Sequence, residues 1–190
     1  MIQYSYIFTK KGAHPSVKPR QRALLERARR MLADAVPTSG DCGELCGAAC
    51  CRGGDGMWLF PGEADFYADS SDPHFSVDPS EGNGDYGFLR CTHDGGGCDR
   101  DERPLACRIF PYFPMAVRSG RTGRYVIRAV VDPRAARVCP PLKTGSPDTD
   151  PRFRLAVRRA GRIMMRDREL RAYLIETSDY LSELFRLIQN

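Results

Sequence analysis

Apolar residues return at intervals of three and four between Pro19 and Val36, at Leu24, Leu25, Ala28, Met31, Leu32 and Ala35. This spacing predicts an amphipathic helix over 19–36, opened by Pro19 in its first turn and closed by Pro37. Arg22, Arg27, Arg29 and Arg30 occupy much of its remaining surface. The same period governs the end of the chain. Phe153, Ala156, Val157, Ala160, Ile163 and Met164 predict a helix from Asp150-Pro151, an N-cap followed by a proline at the first helical position. A second helix starts near Asp167 and carries Leu170, Tyr173, Leu174, Tyr180, Leu181, Leu184, Phe185 and Ile188. These stripes read as core faces rather than partner-binding faces, and Met164-Met165 as a filler of gaps in that core.

Between the helices the apolar runs are short. Residues 1–8, Met57–Phe60 and Tyr86–Arg90 predict strands, and Met115–Val117 with Tyr125–Val131 predict a hairpin turning through Ser119–Gly123. Pro61 and Pro104 each open a short helix, over 61–67 and 103–107. The Ser-, Asp-, Pro- and Gly-rich stretch 69–85 predicts a surface loop, and Gly95-Gly96-Gly97 a turn. The expectation is an α+β fold forming a single small domain over 1–190. Terminal helices bracket a loop-rich cysteine centre at about 40–140 with short strands, and a helix pair spans about 150–188.

Eight cysteines fill that centre in two groups. The first is Cys42-x3-Cys46-x3-Cys50-Cys51, and the second is Cys91-x6-Cys98-x8-Cys107, completed by Cys139. Thiolates this dense, set among glycines, point to a loop wrapped around a soft metal or an iron–sulfur cluster. Four disulfides are the competing reading of an even count. Against them, the first eight residues lack the basic flank and apolar length of an export signal, which implies a cytoplasmic chain with reduced thiols. Vicinal Cys50 and Cys51 also suit two ions, or two sides of one cluster, better than two independent bridges. All eight cysteines are therefore candidate ligands for zinc or iron. Spacing leaves open two tetrahedral sites, one binuclear site, or a four-iron cluster on four thiolates. His14 and His74 lie far from any cysteine in sequence, and His93 alone is close enough to compete as a ligand.

Charge refines this picture. Only four of the 29 basic residues are lysines, leaving 25 arginines, and the formal charge is +5. The basic residues are spread along the chain, which argues against nucleic acid as a partner. Arg52, Arg90, Arg103 and Arg108 sit beside cysteines, as do Arg100 and Arg137. A four-thiolate zinc site is formally dianionic, so neighbouring guanidinium groups would offset it and donate to sulfur. No stretch reaches the length of a transmembrane helix. No phosphate-binding loop, dinucleotide fingerprint, zinc-protease helix or nucleophile elbow appears. Glu63 and Asp65 could line a cleft, though acids in a first helical turn are expected from the dipole alone.

Four segments together resemble the YkgJ-like cysteine-cluster family. They are Cys46-Gly47-Ala48-Ala49-Cys50-Cys51, Leu59-Phe60-Pro61-Gly62-Glu63, Phe88-Leu89-Arg90-Cys91 and, most specifically, Arg103-Pro104-x2-Cys107-Arg108-Ile109-Phe110-Pro111. The resemblance covers roughly 40–140 and implies zinc or iron chelation through the cysteines. The family's first cluster is commonly C-x2-C-x2-C-C, whereas this chain places three residues between cysteines, so the role of Cys42 departs from the pattern. Flagellin lysine methylases carry a related cysteine region, which implies as the alternative an S-adenosylmethionine-dependent protein lysine methyltransferase.

Overall fold

A computed structural model describes residues 18–38, 46–52, 56–67, 75–78, 86–92, 100–139, 142 and 150–189, with the backbone alone at 51, 52, 137, 188 and 189. Helix α1, Pro19–Arg30, turns Leu25, Ala28 and, just beyond its end, Leu32 into the core. It stops short of the expected 36. The amides of Met31, Leu32 and Ala33 tighten onto Ala28, Arg29 and Arg30, and Pro37 disfavours helix in the residue before it. The carbonyls thus released bind elsewhere in the fold. Ala35 accepts from the Arg100 guanidinium, and Pro37 accepts from the Asp150 amide at 3.0 Å.

The middle of the chain forms α2, Ala49–Arg52; β1, Met57–Trp58; a 3-10 turn, Ala64–Phe66; β2, Phe75–Asp78; β3, Phe88–Cys91; and α3, Leu105–Ile109. Strand β3 lies between β1 and β2, antiparallel to both. The expected loop at 69–85 therefore contains a strand. Its alternation Phe75-Ser76-Val77-Asp78 puts Phe75 into the core, edge-on to Tyr67 at 5.3 Å, and half-buries Val77. Four residues of period two are too few to stand out from polar flanks. The expected strand at 1–8, the turn at 95–97 and all three histidines lie outside the described residues.

The expected hairpin forms from β4, Tyr112–Arg118, and β5, Tyr125–Val131, and begins three residues earlier than the pattern implied. A short helix that the sequence did not announce, α4 at Ala135–Val138, follows Asp132, whose carboxylate accepts from the amide and guanidinium of Arg134. The C-terminal pair is α5, Pro151–Met164, and α6, Arg168–Gln189. Asp150 caps α5 by accepting from the Arg152 amide at 2.7 Å.

Helix α5 lies against α1 and across both hairpin strands, while α6 covers the outer edge of β4. There Ser178 Oγ accepts from the Ala116 amide at 2.8 Å, closing an edge that would otherwise expose backbone donors. Leu170, Leu174 and Leu181 of α6 are fully buried, each a gain of about 1.5–3 kcal/mol over exposure. Met164 is buried and Met165 packs half-buried beside the core, as expected of filler. Leu174 and Leu181 are thus unavailable to a partner, and Phe185 is half-buried.

Gly161 sets how closely α5 approaches the hairpin. A Cβ there would stand 2.6 Å from Pro114 Cβ and 2.8 Å from Ile127 Cγ2, both on stiff side chains. Gly161→Ala is therefore expected to destabilise the protein by about 1–3 kcal/mol through overpacking, even though alanine favours helix over glycine by about 1 kcal/mol. A denaturant midpoint at or above wild type would show that the helix can retreat without cost.

Candidate metal centre

One cavity of about 50 Å³ is lined by four cysteines from three parts of the chain. Cys46 and Cys50 reach it from the first group, Cys107 from α3, and Cys139 from the residue after α4. Arg100, Arg103 and Arg108 share its walls, with Pro37, Thr38, Phe110, Pro111 and Leu142 completing them. The sequence separates Cys46 from Cys139 widely, so this meeting is a product of the fold.

Local backbone explains how two cysteines of one short segment face the same space. Gly47 and Ala48 both adopt positive φ, 60° and 54°, which reverses the chain between Cys46 and Cys50. Ala48 is the costly member of the pair, at roughly 1–2 kcal/mol for a left-handed alanine. Strain of this kind concentrates where surrounding structure over-determines a functional segment.

Cys107 is positioned by a buried carboxylate. Helix α3 begins after Pro104, and its first amides lack helical acceptors. Glu63, only 1% exposed, supplies one. It accepts from the Leu105 amide, and from the Phe60 amide at 3.1 Å, tying the Phe60-Pro61-Gly62 turn to the helix that presents Cys107. Burial pushes the Glu63 carboxyl up to about 7, against the opposing pull of the Phe60 and Leu105 donors and the Arg29 charge. Glu63 is thus a buried cap for the cysteine helix. Nearby, the Tyr67 hydroxyl donates to the Glu102 carbonyl at 3.1 Å, and burial raises its pKa.

The arginines form a connected layer. Arg108 is 7% exposed and donates through Nε to the Arg103 carbonyl at 2.9 Å. Both Arg108 and Arg29 donate to the Asp101 carbonyl, the latter at 3.1 Å. Burial lowers the Arg108 pKa, and the Arg29 charge adds to that. The Asp101 carboxylate is 3.8 Å away but 82% exposed, so it offsets little of this charge.

Four of the eight predicted ligands, Cys46, Cys50, Cys107 and Cys139, therefore line one cavity. Cys91 is not among the residues lining this cavity; it lies on β3 opposite Phe75 and packs against the apolar core. Cys42, Cys98 and the Cys51 side chain lie outside the described residues. Of the arginines expected to offset thiolate charge, Arg103 and Arg108 line the cavity. Arg90 is exposed, with its guanidinium carbon 5.5 Å from the centre of the Phe88 ring, and the Arg52 side chain is outside the description. Arg29 had no sequence signal, because helical periodicity assigns it simply to the outer face of α1. Arg100 was signalled only by its closeness to Cys98.

The donor chemistry fits a thiophilic ion. The cavity exceeds the roughly 10–15 Å³ that one water needs, its donors are soft sulfur, and its walls carry positive charge. Among the described residues, no group of three or more cysteine, histidine, aspartate or glutamate side chains is placed to hold a metal ion. No described helix is long and apolar enough to cross a membrane. No family model, curated protein or solved structure matches the chain.

Proposed function

We propose that this protein is a metal chelator, binding zinc or iron, an iron–sulfur centre included, through its cysteines. The observation that carries this reading is the convergence of Cys46, Cys50, Cys107 and Cys139 on one cavity walled by Arg100, Arg103 and Arg108. Four cysteines are the number that closes a tetrahedral zinc site with protein alone or anchors a four-iron cluster. The three guanidinium groups offset the negative charge that such a thiolate set carries. The likeness of the Arg103–Pro111 segment to the YkgJ-like family supports the same reading.

The chain's own residues divide the work. The four sulfurs would hold the metal, the arginines balance its thiolate shell, and Glu63 fixes the helix that presents Cys107. Metal binding would add the free energy that draws the four sulfurs inward.

Elemental and sulfide analysis of protein prepared both aerobically and anaerobically tests this. At least about one equivalent of zinc or iron is expected, as for a filled structural site. Acid-labile sulfide and a brown colour would identify a cluster, and colourless zinc protein from both preparations a zinc site. Less than about half an equivalent of zinc plus iron under both conditions would overturn the proposal.

A further inference from the structure

The net positive charge gathers in one run of the chain, residues 152–166, which the fold holds as a helix beside the hairpin. Helix α5 carries Arg152, Arg154, Arg158, Arg159 and Arg162 and no acid. That is the same +5 as the whole chain, so the other 24 basic residues are balanced by the 24 acidic ones. All five are exposed, as is Arg166 just beyond the helix. Phe153, Ala156, Val157, Ala160, Ile163 and Met164 hold the opposite side in the core. Arg154, Arg158 and Arg162 recur every four residues, each step about 6 Å along the axis, and Arg166 follows beyond the helix end. No carboxylate among the described residues pairs with any of these six.

The neighbouring hairpin continues the charge at its turn. Arg118, Arg121 and Arg124 are exposed, and no acid occurs between Tyr112 and Val131. Arg128, next to Ile127 on β5, alternates to the face away from α5 and is not part of this surface. Helix α5 runs in the direction of β4. Tyr112 meets Phe153 at 6.0 Å between ring centres, and Pro114 meets Gly161 about two turns further on. The C-terminal end of α5 therefore points toward the arginine-bearing hairpin turn.

We propose that α5 and the hairpin turn form one surface that binds the phosphate backbone of double-stranded nucleic acid, without reading bases. The occupant follows from the chemistry of the surface. Its donors are arginines, whose planar forks match phosphate oxygens, and they repeat along an axis as phosphates do. Insertion into a membrane needs an apolar face, and that of α5 is committed to the core. A protein partner needs a central aromatic or aliphatic anchor, whereas the exposed large apolar side chains here are scattered, Leu155 on α5 with Tyr125 and Val126 at the start of β5, and none lies amid the α5 arginines. This surface is separate from the cysteine cavity, and the inference does not depend on the metal.

Fluorescence anisotropy of the full-length protein with a short random-sequence DNA duplex, across a salt series, tests it. Neutralising about five phosphates predicts a slope of log K against log salt of about −4 to −5, a loss of several hundred-fold between about 50 and 200 mM. The double variant R158Q/R162Q should reduce the slope by about two and weaken binding at low salt by at least about tenfold. Both residues are exposed, so its melting temperature should match wild type. Arg22→Gln, on α1 and paired with Glu26, should leave binding unchanged. Absence of salt-dependent binding, or wild-type binding by the double variant, would overturn the proposal. So would equally tight binding to phosphatidylglycerol vesicles or polyglutamate, which would make the surface a general polyanion contact.

Discussion

Glu63→Ala should unfold or severely loosen the cysteine centre, at a cost of about 3–5 kcal/mol. The substitution strands the amides of Phe60 and Leu105, which now donate to the carboxylate. Each buried unsatisfied donor costs about 1–3 kcal/mol, and the vacated volume adds a cavity. Because α3 is held at its N-terminus by this side chain, the loss should reach Cys107 and lower metal content as well as the denaturant midpoint. A stability loss below about 1 kcal/mol, near the average for a point substitution, would mean that water or another acceptor replaces the carboxylate.

Glu63 also predicts the sign of a pH dependence. Burial raises its folded pKa from 4.5 to about 7, so the folded state holds the proton more tightly than the unfolded chain. Its contribution is then full below the unfolded pKa and is lost as pH rises through the folded one. Glu63→Gln keeps the volume and cannot titrate, so it serves as the reference and cancels proton effects at the cysteines. The stability advantage of wild type over Glu63→Gln should shrink from pH 5 to pH 7.5, by at most about 1.4 kcal/mol per pH unit. An advantage that grows over that interval would show that the amide donors and Arg29 outweigh burial.

The sequence made the long elements legible and the site only half so. Helices α1, α5 and α6 were readable because their apolar residues recur over three or more turns, and Asp150-Pro151 marks the start of α5 chemically. The hairpin was readable from its β-branched run at 125–131. Strand β2 and helix α4 were not, since four residues carry too little period to distinguish them from loop. Among the cysteines, spacing could propose eight ligands but could not group them. Grouping depends on long-range contacts, such as the return of the chain after β5 that brings Cys139 to Cys46 and Cys50. Glu63 shows the same limit. Sequence could see an acid in a first turn, whereas its task is to cap a different helix about forty residues away in sequence.

The cavity divides the cysteines into two sets with different expected sensitivities. Cys107→Ser and Cys139→Ser each remove a soft donor from the proposed four-cysteine site and replace it with a hydroxyl that binds zinc or iron poorly. Each should speed metal loss to a competing chelator by more than about tenfold, because an incomplete tetrahedral shell leaves a position open to solvent. Cys107→Ser should be the more damaging. Its thiol is held on a helix anchored by Glu63 and flanked by Arg103 and Arg108, so the hydroxyl cannot move to find a better distance. Cys91→Ser should retain the metal, since Cys91 packs on β3 against the core, and its cost should appear in stability instead. The readout is chelator-competition kinetics on each purified variant, with circular dichroism to establish that it is folded. If Cys91→Ser lost metal as fast as Cys107→Ser while remaining folded, the centre would have to extend to β3, and a single four-cysteine site in this cavity would be the wrong assignment.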